Sequence, residues 1–175
     1  MRKKDLEERR RKERLLAGLY EEYYDKIARY IFVRIHNRSE SEDLAGDVFL
    51  RALESLDSYQ ERGVPMHSWL FRIAHNRVVD YFRKQGKRKT VPLDTVEVAD
   101  LMNVEETVER QWQVERVSQA MAQLTMAQRD VIALRFFSGL SSEEVGKILG
   151  KSSGAVREMQ SAGVKSLRRL IGDIS

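Results

Sequence analysis

The chain has 175 residues, of which 42% are hydrophobic and 33% charged, and its formal net charge is +4. Because it contains no cysteine, disulfides, thiolate zinc sites and cysteine nucleophiles are excluded. No apolar run approaches the roughly 20 residues that a membrane helix needs, and the charged first residues do not read as a secretory signal. We therefore expect a cytoplasmic protein without membrane insertion. Two prolines and the lack of alternating strand patterns predict an all-α fold.

The first half of the sequence predicts one small helical domain over residues 15–84. Residues 1–14 form a charged N-terminal extension, which we expect to be disordered. From residue 15 to about residue 36, apolar side chains recur at helical spacing and predict the first helix. A second helix is expected to start at Ser41, and a third to follow a polar loop.

A flexible linker is predicted over residues 85–108, where the periodicity stops and a basic run gives way to an acidic one. A second helical domain is predicted over residues 109–175. Its helices are expected to open with capping boxes and to end at glycines. The boxes are Thr125 with Gln128 and Ser141 with Glu144, and the glycines are Gly139 and Gly150.

The stretch LSSEEVGKILGKSSGAVREMQ, residues 140–160, reads as two helices around a glycine turn. This is the spacing of a helix-turn-helix, whose second helix enters the major groove of DNA. Arginine there can pair with guanine, and glutamate can accept from cytosine. Spacing alone leaves a second interpretation open, a helical hairpin that fills a core. The side chains expected to face DNA are Lys151, Ser153, Arg157, Glu158, Ser161 and Lys165.

A second candidate nucleic-acid site lies in the first domain, where basic and aromatic side chains are interleaved. Single-stranded nucleic acid is bound by this chemistry, because its bases stack and its phosphates pair with cations. We expect the rings to serve mainly as core, which leaves the loop Tyr59 to Ser68 and Asn76 for base contact. The candidate residues are Tyr59, Arg62, His67, Arg72, Asn76, Arg77, Arg83 and Lys84.

Four blocks follow one another along the chain: SEDLAGDVFLRALESLDSY, then HSWLFRIAHNRVVDYFRK, a charged linker, and LTMAQRDVIALRFFSGLSSEEVGKILGKSSGAVREMQ. In this order and at this spacing they resemble the bacterial sigma factors of the extracytoplasmic-function (ECF) group of the sigma-70 family. The first block is similar to the helix that binds core RNA polymerase. The second is similar to the promoter-melting segment, and the last to the domain that reads duplex DNA.

The resemblance implies a protein that is not an enzyme and needs no cofactor or metal. It would bind core RNA polymerase and direct it to promoter DNA. The first domain would melt the −10 element and capture a base of the single strand, and the helix-turn-helix would read the −35 element. Members of this group are often held by an anti-sigma factor, which is a candidate partner. The polymerase contacts would map to Asp43, Leu44, Asp47, Val48 and Phe49.

The chain departs from the family pattern in two places. Gly46 stands where glutamine is common, and a glycine inside a helix costs roughly 1 kcal/mol relative to alanine. In the second helix of the helix-turn-helix, Ala162 and Val164 flank Gly163 where basic residues are frequent. The family's base preferences therefore do not transfer to this chain.

Two alternatives are a stand-alone helix-turn-helix regulator of duplex DNA and a helical interaction module that binds no DNA. An enzyme is disfavoured, because His36, His67 and His75 do not have the spacing of metal ligands on a helix. We expect His75 to face the surface or the promoter, and His36 to suit the C-terminal end of the first helix.

Overall fold

The computed structural model of the chain describes residues 2–87, 116–117 and 119–172. These residues form helices and connecting turns, with no strand among them, so the all-α prediction is confirmed. A 3-10 turn spans Leu56–Ser58, and the loop 59–65 leads from it into the third helix. The helices are α1 Lys3–Ile35, α2 Arg38–Glu54, α3 Met66–Lys87, α4 Met126–Ile132 with a π-helical end Ala133–Phe137, α5 Ser142–Leu149 and α6 Ser153–Gly172.

The first three helices pack around a shared core. Tyr30 of α1, Val48 of α2 and Phe71 of α3 are all completely buried in it. The core continues into the second half, because Val131, Val145 and similar side chains belong to the same buried cluster. The two halves are therefore packed against each other as well as joined along the chain.

Helix α1 begins at Lys3, so the N-terminal extension is helical and our expectation of disorder is wrong. Tertiary contacts explain the difference. Within the extension the side chain of Lys12 is buried, at 7% exposure, and Leu16 directly after the extension is 6% exposed. Burial of such side chains compensates for the entropy of ordering a charged segment, which sequence patterning could not reveal.

Helix α2 begins at Arg38, three residues before the expected start at Ser41. Asn37 is the cap, since its side chain accepts a hydrogen bond from the Glu40 N–H at 3.0 Å. Ser41 instead lies within the helix, where it is buried and its hydroxyl donates to the carbonyl of Asn37.

The helix boundaries of the second half agree with the sequence signals. Both capping boxes are formed, and both helix-ending glycines take positive φ angles, 69° at Gly139 and 66° at Gly150. Ser152 caps α6, since its hydroxyl accepts from the Ala155 N–H at 3.1 Å. Of the predicted linker, residues 85–87 belong to α3 and the remainder lies outside the described residues.

Candidate nucleic-acid and polymerase interface

Helices α5 and α6 form the helix-turn-helix, and a close backbone approach sets its turn. Val145 and Val156 are completely buried between the helices, as predicted. The Lys151 N–H donates to the carbonyl of Gly146 at 2.8 Å. A Cβ at Gly146 would lie 2.5 Å from the carbonyl oxygen of Lys151. Only glycine therefore fits where α5 passes the turn.

One face of α6 is open to solvent and carries most of the predicted DNA contacts. Arg157, Glu158 and Ser161 are exposed along it. Lys151 and Lys165 are exposed at the turn and further along α6, whereas Ser153 is partly buried. The structure thus brings these side chains together on one surface of the second helix.

The unusual residues of α6 have a packing explanation. Gly163 is buried against α4, where an added Cβ would lie 3.1 Å from Cγ1 of Ile132. Val164 packs against the cluster that includes Met121 and Ile132. An apolar side chain at 164 therefore belongs to the core, and only Ala162 of this trio is exposed.

The loop 59–65 is held by Tyr59, whose position differs from its predicted role. Tyr59 is 5% exposed, and its ring packs against Trp69 with centroids 5.0 Å apart. Its hydroxyl donates to the carbonyl of Val64 at 2.9 Å. The Tyr59 side chain therefore closes the loop and is not available for DNA contact, while Arg62 at the tip is exposed.

Two other candidates, His67 and Arg72, contact α5 of the second half. His67 Nε2 donates to the Glu144 carboxylate at 2.8 Å, and the Ser68 hydroxyl donates to the same oxygen at 2.9 Å. Arg72 donates to the carbonyl of Lys147 at 2.9 Å. In this arrangement the second half covers part of the first half's candidate DNA surface.

The charge of Glu144 supports that contact. Burial raises its pKa, but hydrogen bonds from the Ser141 N–H, Ser68 and His67 outweigh burial and lower the pKa overall. A further contact between the halves is the ion pair of Arg34 with Asp130, 2.6 Å apart, in which Arg34 is 2% exposed.

The remaining candidates on α3 differ in their availability. Asn76 and Lys84 are exposed. Arg77 is paired with Asp47 at 2.6 Å and with Asp80 at 3.4 Å, and Arg83 also reaches Asp80 at 2.6 Å. Arg77 and Asp47, which we predicted to bind different partners, thus form an ion pair between α3 and α2.

The residues of the predicted polymerase surface on α2 differ in exposure. Val48 and Phe49 are 0% and 7% exposed and belong to the core, so their side chains are not open to a partner in this structure. Asp43 is exposed and Leu44 is partly buried. Asp47 also pairs with Arg51 at 2.9 Å.

Three exposed apolar side chains near this surface were missed from the sequence. Leu50 is 54% exposed, Leu53 42% and Val79 49%. Large apolar side chains are most often buried, so sequence patterning did not indicate that these three are exposed. The signal that could have indicated their exposure is that each of the three directly follows a buried residue along its helix.

The three histidines do not form a metal site. His75 is partly buried and its Nδ1 lies 3.2 Å from the hydroxyl of Tyr30, so the expected surface position is wrong. Burial lowers the pKa of His75 and of His36, which disfavours the charged imidazolium that we expected the helix dipole to stabilise at His36. The described residues contain no group of side chains that could hold a metal ion, and none of their helices is long and apolar enough to cross a membrane.

Comparison with known proteins places this arrangement in one family. Family models for Sigma-70 region 2 and for Sigma-70, region 4 match residues 19–88 and 120–169. The chain is 34% identical over 160 residues to the ECF RNA polymerase sigma factor BldN of Streptomyces coelicolor, covering 89% of this chain and 60% of BldN. It is 32% identical over 157 residues to the ECF RNA polymerase sigma factor SigX of Bacillus subtilis, covering 86% and 80%.

The fold is also similar to that of a solved structure, the sigma factor RpoE from Bartonella quintana in complex with the anti-sigma factor NepR. The TM-score is 0.75 at 22% identity, and the match covers 89% of this chain and 96% of RpoE. The chain belongs to the sigma-70 family of RNA polymerase sigma factors and, within it, to the ECF group.

Proposed function

We propose that this chain binds core RNA polymerase and gives it promoter specificity through two DNA-binding surfaces. The observation that carries this proposal is that each half exposes polar and basic side chains on an element suited to a different form of DNA. The loop 59–65 with α3 suits a single strand, and α6 suits a duplex. The chain itself catalyses no reaction in this scheme and acts in the cytoplasm, where the polymerase is.

The first half would capture the melted −10 element. A base that leaves the stack needs a concave, polar site and nearby cations for its phosphates. Arg62 at the loop tip and Asn76 and Lys84 on α3 are exposed and accessible to a strand. Arg77 would act indirectly, because its ion pair with Asp47 joins α3 to α2.

The second half would read the −35 element with the exposed face of α6. Arg157 and Glu158 lie on the first two turns, the part of a recognition helix that reaches base edges. Arginine reads guanine, and glutamate accepts from the amino group of cytosine. Lys165 lies two turns further on and suits a backbone phosphate.

The polymerase would bind the exposed surface of α2 and α3. Leu50, Leu53 and Val79 supply apolar area there, and Asp43 supplies negative charge for a basic partner. Exposed apolar side chains that lie together would supply contact area for a protein partner. Such a surface leaves the α6 face uncovered for DNA.

Binding of promoter DNA would require the halves to separate, because His67 and Arg72 are engaged by α5. Once the polymerase holds the halves apart, the predicted linker keeps both DNA-binding surfaces on one chain. Tethering raises the joint affinity through effective concentration, without new contacts. An anti-sigma factor that stabilises the packed arrangement is a candidate partner, as RpoE was solved with the anti-sigma factor NepR.

Transcription of fragmented genomic DNA by core polymerase, with and without this protein, tests the proposal. Sequencing of transcript starts should reveal new starts that share two upstream elements. No new starts, together with duplex binding by the protein alone, would support the stand-alone regulator instead. Asn76→Ala should reduce use of the −10 element, and Gln123→Ala, an exposed residue outside both proposed DNA-binding surfaces, controls for unspecific loss.

A further inference from the structure

The N-terminal part of α1 contacts the segment that enters the loop 59–65. Lys12 Nζ donates to the backbone carbonyl of Tyr59 at 2.9 Å. Arg9 pairs with Asp57 at 2.5 Å, and Arg11 pairs with Glu61 at 3.3 Å. The contacted positions 57, 59 and 61 alternate along the chain, so α1 binds one side of this segment.

Lys12 makes the buried contact of the three. A lysine is rarely buried unless its ammonium is paired, so this contact is a specific one. Its side chain is 9% exposed, and its ammonium also lies near Glu8, with Nζ and Oε1 3.6 Å apart. The two flanking pairs are far more exposed, with 51% for Arg11 and 69% for Asp57. Exposed pairs contribute little to stability, whereas a buried charge-assisted hydrogen bond contributes more.

The contact acts where the loop is closed. Tyr59 uses its carbonyl for Lys12, its hydroxyl for the carbonyl of Val64 and its ring for Trp69. The carbonyl is thus held from outside the loop, while the hydroxyl connects the two ends of the loop. Gln60 and Arg62 alternate with the contacted residues and are exposed.

We propose that Lys12 is a positioning residue for −10 recognition, which holds the loop 59–65 through Tyr59 so that its exposed side is preorganised for the single strand. The N-terminal extension then takes part in promoter selectivity without touching DNA. This inference rests on the proposed role of the loop. Preorganised binding elements lose less entropy on binding, so release of the loop should reduce discrimination between promoter strands.

The test uses holoenzyme reconstituted from core polymerase and the full chain, with promoters that carry either the identified −10 element or single changes in it. Lys12→Met keeps the apolar stem and removes the ammonium group. We expect about a tenfold loss of discrimination between −10 variants, equivalent to about 1.4 kcal/mol. Core binding and the response to −35 changes should stay within about twofold of wild type, since neither surface includes the loop. Lys12→Arg should restore most of the discrimination.

Arg10→Met is the matched control, because Arg10 is exposed on the same helix and the charge change is identical. Equal loss in Arg10→Met and Lys12→Met would overturn the proposal in favour of a general charge effect. Unchanged discrimination in Lys12→Met, or an equal loss of core binding, would also overturn it.

A second variant guards against misfolding of Lys12→Met. Arg9→Gln combined with Arg11→Gln removes the two flanking ion pairs, together with the pair of Arg9 and Glu13 within α1. It should reduce discrimination about twofold to threefold, in line with weak surface pairs. No change in this variant, with Lys12→Met unfolded, would refute the proposed positioning by the extension. Wild-type holoenzyme that shows no −10 discrimination would instead refute the proposed role of the loop.

Discussion

Gly146→Ala should weaken the helix-turn-helix by steric overlap with the turn. The new Cβ would lie 2.5 Å from the carbonyl oxygen of Lys151, well inside van der Waals contact. That carbonyl cannot move freely, because the N–H of the same residue is bonded to the Gly146 carbonyl at 2.8 Å. Overpacking of this kind costs about 1–3 kcal/mol.

Gly46→Ala provides the matched control for this substitution. Gly46 also lies inside a helix, but a Cβ added there would have no atom of another segment within 4 Å, so only helix propensity should act. Gly46→Ala should therefore stabilise the protein by about 1 kcal/mol. Since both variants gain the same propensity, their difference should isolate the overlap at Gly146, about 1–3 kcal/mol.

Urea unfolding followed by circular dichroism measures both free energies of unfolding. Gly146→Ala should also reduce use of the −35 element while core binding persists. A Gly146→Ala protein as stable as Gly46→Ala would refute the reasoning, because it would show that the turn relaxes without cost.

Three further predictions concern other surfaces. Arg157→Ala should reduce initiation that depends on the −35 element about tenfold, consistent with loss of one base contact, and leave core binding unchanged in a pull-down. Leu50→Asp should weaken core binding at least about tenfold by charging an apolar contact, and unchanged binding would contradict the assigned surface. Because burial lowers the pKa of His75 below its ordinary value of 6.5, the unfolded state binds more protons, so stability should fall as pH drops below about 6.5. His75→Gln should flatten the pH dependence of urea unfolding, with the slope that remains arising from His36 and, at lower pH, from Glu144. An unaltered slope would exclude His75 as its source.

Much of the fold was predictable because helix ends depend on local chemistry. The capping boxes at Thr125 and Ser141 and the glycine at Gly150 form within a few residues of the chain, so neighbouring residues suffice to identify them. The same holds for the helix-turn-helix, whose inward valines follow helical spacing. The start of α2 was missed because Asn37 and Ser41 are both suitable caps, and local sequence did not distinguish them.

The candidate site was less predictable, because side-chain availability depends on packing. Val48 and Leu50 are both apolar and two residues apart, yet one is in the core and the other is 54% exposed. Tyr59 was a candidate for DNA contact, but its ring packs against Trp69 and its hydroxyl donates to the carbonyl of Val64. The pairing of Arg77 with Asp47 joins residues 30 positions apart, which periodicity does not register.

The sequence by itself determined the helical class, the positions of most caps and the order of blocks that identifies an ECF sigma factor, because these depend on composition and short-range spacing. Only the tertiary structure decided that Lys12 reaches Tyr59, that Glu144 engages His67, and which face of α2 remains open. Such contacts join residues distant along the chain, and their burial depends on all surrounding helices at once. The physical difference is that a cap is a local hydrogen bond, whereas an exposed surface is what remains after the whole core has packed.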